Sequence, residues 1–333
     1  MKDIFILIPV CNPEVEKLED LITELKDKFP HILVVNDGST KEYNEFFSSL
    51  EESGVEVFTN YLHLGIGRSI KNGFNYILSR YPKITGVVTA NCNNTYKDIY
   101  KCASLLFKNK DKLIIGKRDF NSINTPKSYK TNNKIINGLF KLLVNLNIND
   151  STSLLRGMSK EAIIKYFNAK GEGLDYLNNV LIKYREKDLE VMEFDIDSNF
   201  QDNYTIKDMY YLYKLFISYI LSSSFIIDII IFTILMLFNL NIIASVIVAR
   251  VISTIYNYKR VLNKVFKKYK EETIKRYYLL VTFETIICSL LTYITSTLLS
   301  INPVLVKINI DIILLIIAFY IKNNLIFGGV NEK

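Results

Sequence analysis

The sequence is poor in the residues that build disulfide frameworks and most metal centres. Its four cysteines, Cys11, Cys92, Cys102 and Cys288, show no Cys-x-x-Cys spacing, and it has only two histidines. A disulfide scaffold is not expected at this length, a His-rich metal site is excluded, and cysteine usage fits a reducing compartment. Six prolines and thirteen glycines in 333 residues exclude a collagen-like or linker-rich chain. With 49% hydrophobic residues the chain is too apolar to stay disordered. A signal peptide is not expected, because the apolar run Ile4 to Pro9 is too short for an h-region and reads better as a buried strand.

What remains is a chain of uneven character. A positive mean hydropathy of +0.16 stands beside 41 Lys and Arg and a net charge of +7. The length fits about two domains. Residues 1–210 mix charge and apolar residues, whereas residues 224–327 are mostly Ile, Leu, Phe, Val and Thr.

In the second part four apolar stretches are predicted as spans: Phe225–Leu240, Ile242–Tyr256, Tyr277–Leu299 and Val304–Ile321. A spanning helix needs about 17–25 mostly apolar residues. The first two are short and parted by a tight turn, so they read as a helical hairpin. Eight basic residues lie within Lys259–Arg276, against two acids, Glu271 and Glu272. By the positive-inside rule this segment, and with it both termini, is expected on the cytoplasmic side of a plasma membrane. Its place between spans speaks against a nucleic-acid patch. Charged residues recur inside the spans, acid then base: Asp228 and Arg250, then Glu284 and Lys307. This two-plus-two repeat, closing with Asn263/Phe266 and Asn324/Phe327, predicts a membrane polar cluster, either on a pathway or pairing helices in register.

The four-span repeat with Asp228, Ala249-Arg250, the Asn257–Phe266 run, Lys307 and the Phe319–Phe327 run resembles the GtrA family of small membrane proteins. That resemblance covers about residues 221–327 and implies handling of polyprenyl-phosphate-linked sugars. Ala318 departs from the family, which usually has Asn there.

In the first part, apolar strands and amphipathic helices alternate. Strands are expected at Ile4–Val10, Ile32–Val35, Val55–Thr59, Ile84–Thr89 and Leu113–Ile115, and helices at Glu14–Phe29, Glu42–Gly54, Gly65–Ser79 and Tyr96–Phe107. This order implies a mainly parallel, doubly wound α/β sheet, whose ligands bind beyond the strands' carboxyl ends. There lie Pro9–Glu14, Asn36–Thr40, Ala90–Asn94 and Gly116–Asp119. Asp37 is placed to accept from a nucleotide hydroxyl or base N–H, or to close an Asp-Gly turn. Gly65-Ile66-Gly67 at a helix start offers N–H groups to a phosphate.

The motifs Ile8–Glu14, Val35–Thr40, His63–Gly73, Ile115–Asp119 and Asp150–Gly157 together resemble family-2 glycosyltransferases of the dolichyl/polyprenyl-phosphate sugar synthase branch. The resemblance covers about residues 1–200. It implies a cytoplasmic, GT-A-like, nucleotide-sugar-binding α/β domain joined to an all-α four-helix transmembrane domain. It places Pro9, Asn12, Glu14, Asp37, Gly65, Gly67, Asn91 and Asn93 at the nucleotide, and Arg118, Asp150 and Arg156 in catalytic positions.

One departure concerns metal. Where that family has Asp-x-Asp holding Mg²⁺ or Mn²⁺, this chain has Asn91-Cys92-Asn93, two amides for two carboxylates. Asn93 is the metal-ligand candidate that remains. The diphosphate would then be met by Arg118 and neighbouring cations, or bind metal through its own oxygens, or the domain would bind a sugar nucleotide without catalysis. Ile66 and Leu154 also depart, replacing a usual Lys and Gly.

The expected domains are 1–204, an interfacial aromatic helix 205–221, and 222–333. The expected partners are the bilayer, a nucleotide-sugar donor and a polyprenyl phosphate or other lipid acceptor, with a homo-oligomer left open and no nucleic acid.

Overall fold

The computed structural model describes residues 3–122, 125–144, 146–186, 189–197, 210–211, 213, 223–264 and 271–321. The chain divides into two compact units, Met1–Leu215 and Phe216–Lys333.

The first unit is a three-layer α/β domain. Its sheet contains β1 (Ile4–Val10), β2 (Ile32–Asp37), β3 (Glu56–Asn60), β4 (Gly86–Thr89), β5 (Leu113–Lys117), β6 (Arg156–Ser159) and β7 (Val191–Asp195), in the order β3-β2-β1-β4-β6-β5-β7. Every residue of β1 is buried, as a central strand covered on both faces requires. It pairs in parallel with β2 on one side and β4 on the other. Helices α1 (Val15–Lys26), α2 (Asn44–Glu52), α3 (Ile66–Arg80) and α4 (Tyr96–Lys108) form the crossovers. α1 buries Leu18, Leu21, Ile22 and Leu25, the stripe that the 3.6-residue period places on one face. α4 starts at Thr95, whose hydroxyl accepts from the Asp98 N–H at 3.2 Å. After β5 come α5 (Lys127–Leu139), α6 (Lys160–Tyr166) and α7 (Asp175–Glu186).

The sheet is mixed rather than wholly parallel. β6 runs antiparallel to both β4 and β5, pairing Thr89 with Arg156 and Ile115 with Arg156. This reversal turns the loop before β6 back toward the carboxyl ends of β4 and β5, which positions Asp150 and Thr152. Of the expected 205–221 helix, Tyr210, Tyr211 and Tyr213 are helical and the rest lies outside the described residues.

The second unit contains α8 (Ser223–Leu237), α9 (Ile242–Lys264), α10 (Glu271–Leu299) and α11 (Pro303–Ile321). α8 packs on α9, α9 on α10, α10 on α11, and α11 on α8, which closes a four-helix bundle. Asn239 and Ser300, at φ of 54° and 53°, turn the chain left-handed after α8 and α10. The interior of this bundle combines buried apolar residues, among them Phe232, Val246 and Ala249, with buried charges. Ile230, Ile234, Phe283, Leu290 and Ile313 are exposed, whereas Asp228, Lys307 and Asp311 are buried. Lys307 Nζ lies 2.5 Å from Asp228 and 2.5 Å from Asp311. Arg250 pairs with Asp311 and stands 3.6 Å from Asp228. The Cys288 thiol donates to Asp311 at 3.1 Å.

Of the expected polar cluster, Asp228, Arg250 and Lys307 come together. Glu284 stands on α10 four residues before Cys288, and Asp311, not anticipated, completes the charge balance. The expectation of four spans is met only in part. Among the described residues one stretch, Tyr278–Leu299, is long and apolar enough to cross a membrane, and the apolar helices Ser224–Leu237 and Ile242–Tyr256 are shorter. The closing runs to Phe266 and Phe327 end outside the described residues.

Candidate active site

A cleft of about 600 Å³ opens over the carboxyl ends of β1, β2, β4 and β5. Of the residues expected there, Pro9, Asn12, Glu14, Asp37, Gly65, Asn91, Asn93 and Arg118 line it.

Asn12 acts on the loops more than on the open space. Its backbone is left-handed, at φ 48°, a conformation that asparagine tolerates well. Its N–H donates to Ser39 Oγ and its Oδ1 accepts from the Thr40 N–H, each at 2.9 Å. The β1 and β2 loops are thereby tied together.

Asp37 is buried at the end of β2 and takes several donors. Asn60 Nδ2 and the Leu64 N–H reach Oδ1 at 2.9 and 3.0 Å, and the Gly65 N–H reaches Oδ2 at 2.8 Å. His63 Nδ1 lies 3.0 Å from Oδ2. Burial alone would raise the carboxyl pKa, but hydrogen bonds from Leu64, Asn60, Ser69 and Gly65 outweigh it and hold it below its usual range. Asp37 lines the cleft and organises residues 60–65, whereas the turn after β2 is closed by Asn36, whose Oδ1 accepts from the Ser39 N–H at 2.9 Å.

The glycines at the start of α3 serve close approach. Gly65 has φ 101°, and a Cβ there would meet the Glu172 carbonyl at 2.7 Å. A Cβ on Gly67 would meet Tyr176 at 2.5 Å and the Gly173 carbonyl at 2.7 Å. Gly67 does not line the cleft. It seats α3 against the loop before α7, which Arg68 and Lys71 clamp through Glu172. Tyr211 lines the cleft from the other side of that loop, its ring 2.6 Å from where a Gly173 Cβ would lie.

Two of the three expected catalytic residues are placed differently. Arg156 is buried and donates to the carbonyls of Ser153, Leu177 and Ser151 at 2.9, 2.9 and 2.6 Å. Burial pushes its pKa down to about 10, so it stays charged, but its guanidinium holds the loop and not the cleft. Asp150 is fully buried behind Arg118. It receives Arg118 Nε at 2.7 Å and Nη2 at 2.8 Å, while its own N–H donates to Glu193 at 2.8 Å. Arg118, which does line the cleft, also donates to Thr152 Oγ1 at 2.8 Å.

At the end of β4 the Asn91-Cys92-Asn93 segment is a self-closed turn. Asn91 Oδ1 accepts from the Asn93 N–H at 3.1 Å, and Asn94 Oδ1 accepts from the Asn91 N–H at 2.9 Å. Among the described residues no three His, Cys, Asp or Glu side chains are grouped to hold a metal. With an amide oxygen already engaged and no carboxylate in the turn, these residues do not fit a divalent ion held as in Asp-x-Asp.

A cleft beyond the strand ends of a mixed α/β sheet, with a glycine-started helix beside it, is the architecture of a GT-A-like α/β domain. Residues 5–167 match the model of glycosyl transferase family 2. The fold is shared with glucosyl-3-phosphoglycerate synthase of Mycobacterium tuberculosis, solved with Mn²⁺, uridine diphosphate and glucosyl-3-phosphoglycerate. That similarity has a TM-score of 0.51 at 15% identity and covers 65% of this chain and 77% of the other. A second structure of the same enzyme, with Mn²⁺, UDP-glucose and phosphoglyceric acid, matches equally. In sequence, the chain is 29% identical over 199 residues to the Uncharacterized protein MJ1222 of Methanocaldococcus jannaschii, covering 58% of this chain and 80% of that one.

Proposed function

We propose that the protein is a membrane-anchored glycosyltransferase that moves a sugar from a nucleotide donor to a lipid acceptor, polyprenyl phosphate or a chemically similar lipid phosphate, in cell-envelope glycan or glycolipid synthesis. The observation that carries this reading is one chain joining a family-2 cleft to helices with apolar outsides and buried charges. An apolar exterior around an ion-paired interior suits lipid as solvent. On this reading the second unit is a four-span, GtrA-like module in the plasma membrane, with both termini cytoplasmic, which carries or hands over the product.

In the reaction an oxygen of the lipid phosphate attacks the anomeric carbon. The bond from that carbon to the donor's diphosphate oxygen breaks, the configuration inverts, and the nucleoside diphosphate leaves with the electron pair. A phosphate already anionic at neutral pH needs no general base. The chain's part is to orient donor and acceptor and to neutralise the leaving group. Asp37 and the residues 60–65 that it orders would shape the nucleotide end, and Arg118, held by Asp150, would face the reacting groups.

The Asn91–Asn93 turn favours a second reading, a sugar-lipid-binding protein without catalysis that acts in translocation or as a scaffold for another glycosyltransferase. Purified protein in lipid vesicles with polyprenyl phosphate, offered UDP- and GDP-sugars, distinguishes them. Release of nucleoside diphosphate that depends on the lipid is the expected result. Tight nucleotide-sugar binding without release would establish the second reading instead.

A further inference from the structure

The cleft holds a cation that the sequence pattern did not single out. Lys17 lies in the first turn of α1 and lines the cleft together with Glu14 and Asn91–Asn93. The Lys17 side chain is 53% exposed, and its ion pair with Glu14, at 2.7 Å, is an exposed i,i+3 contact. Such pairs are weak, so an incoming phosphate can compete for the ammonium. The oxygens near the turn are already engaged: Asn91 Oδ1 is used within the turn, Asp37 is taken up by donors from residues 60–65, and Glu14 is paired with Lys17.

We propose that Lys17 stands in for the missing metal: its ammonium binds the diphosphate of the nucleotide donor, and the cleft holds that donor without a resident divalent ion. The charges support the exchange. Lys17 and Glu14 cancel, so with two amides at positions 91 and 93 the set is neutral, whereas two carboxylates there would leave it at minus two without a metal. The substituted set therefore offers a dianionic or trianionic diphosphate more attraction than the unloaded carboxylate pair would. The geometry is consistent with this, since a lysine on a helix beside the strand end can follow the phosphates as a mobile point charge. The inference rests on the reading of the cleft as a nucleotide-sugar site.

The test is calorimetric titration of the full chain in detergent with uridine diphosphate and with guanosine diphosphate, each in EDTA and in millimolar Mn²⁺. For whichever nucleotide binds, the wild-type Kd should change less than about threefold between the two conditions. Lys17→Met should weaken diphosphate binding by roughly ten- to a hundredfold, the range of one charge-assisted contact, and should erase the advantage over the nucleoside monophosphate. Lys17→Arg should retain most of the affinity. Adding Asn91→Asp and Asn93→Asp to Lys17→Met should restore binding in Mn²⁺ only. As a half-exposed residue, Lys17 can be changed without unfolding the domain, which the unfolding midpoint verifies. A wild-type Kd that worsens more than tenfold in EDTA, or a Lys17→Met protein that binds like wild type, overturns the inference and leaves the nucleotide site standing. Absence of binding by either nucleotide in both conditions overturns the nucleotide site itself and the inference with it.

Discussion

Asp150 grips Arg118 at two points, Nε at 2.7 Å and Nη2 at 2.8 Å, from a position with no solvent exposure of its own. The fork of a guanidinium matches a carboxylate in this way and an ammonium does not. Arg118 is thereby aimed, with the Phe120 and Tyr129 rings 5.3 and 5.8 Å from its centre. Asp150 is best described as a positioning residue and Arg118 as the group that faces the cleft.

Removing the carboxylate should therefore cost both stability and rate. Asp150→Ala leaves Arg118 as a charge without its buried partner, a change worth about 3 kcal/mol. Differential scanning fluorimetry of the detergent-solubilised protein should show the lower midpoint. Arg118→Lys should fold nearly as well as wild type but lose the two-point geometry. Lipid-dependent nucleotide release should then fall mainly in kcat, with KM for the donor changed less. A larger change in KM than in kcat would assign Arg118 to ground-state binding.

Asp37 predicts a dependence on acid. Its folded pKa lies below the ordinary carboxylate value, so the charged form is favoured by folding. The sign follows: its contribution to stability is complete above the unfolded pKa of about 3.9 and is lost as pH falls through the lower folded value. Urea unfolding followed from about pH 6 to pH 2.5 should show a steeper acid-side loss for wild type than for Asp37→Asn. The same variant should abolish nucleotide binding and speed hydrogen exchange at whichever of Leu64 and Gly65 then faces the amide NH2, because asparagine keeps only one of the two accepting oxygens. Unchanged nucleotide affinity would reduce Asp37 to a turn residue.

These two sites differ in how far residue patterns could reveal them. β1 to β5 are apolar runs bounded by Gly, Asn, Asp or Pro, and such runs announce themselves. β6 does not, because Arg156-Gly157-Met158-Ser159 has neither an apolar run nor alternation, and its place comes from pairing with strands far away in the chain. β7, Val191-Met192-Glu193-Phe194-Asp195, carries a readable alternation that is short and easily passed over. Arg156 shows the limit for side chains: an arginine beside a site motif looks the same whether it faces a ligand or three carbonyls. Lys17 reads as part of the solvated face of α1, and only the fold brings it beside Asn91–Asn93. Asp311 had a signal, its i,i+4 spacing from Lys307 within an apolar helix.

The proposed topology makes a labelling prediction. In a background without other reactive cysteines, Lys268→Cys and Ile301→Cys probe the two sides of the bilayer. The basic character of residues 259–276, and the lack of Lys and Arg in residues 239–241 and 300–303, place the first inside and the second outside. A membrane-impermeant maleimide added to intact cells should label position 301 and spare position 268. The reverse pattern would invert the topology and remove the nucleotide cleft from its cytoplasmic donor.

The buried charges of the helical bundle separate packing from net charge. Lys307 has no exposure and lies 2.5 Å from each of Asp228 and Asp311, while Arg250 balances the set at two acids and two bases. In surroundings this apolar, breaking a pair costs more than removing it whole, because a lone buried charge has nothing to offset its desolvation. Lys307→Met leaves two carboxylates for one guanidinium and should lower stability by about 3–5 kcal/mol. Asp228→Asn alone strands part of the positive charge and should also destabilise the bundle. The double variant restores neutrality with Arg250 and Asp311 still paired, so it should be more stable than Lys307→Met. A coupling energy of at least about 1 kcal/mol is expected from the cycle, since the two residues touch. Thermal unfolding in detergent measures all three variants against wild type. Additive losses would mean that the two side chains do not share the contact seen here, and the cluster could not then be what holds α8 against α11.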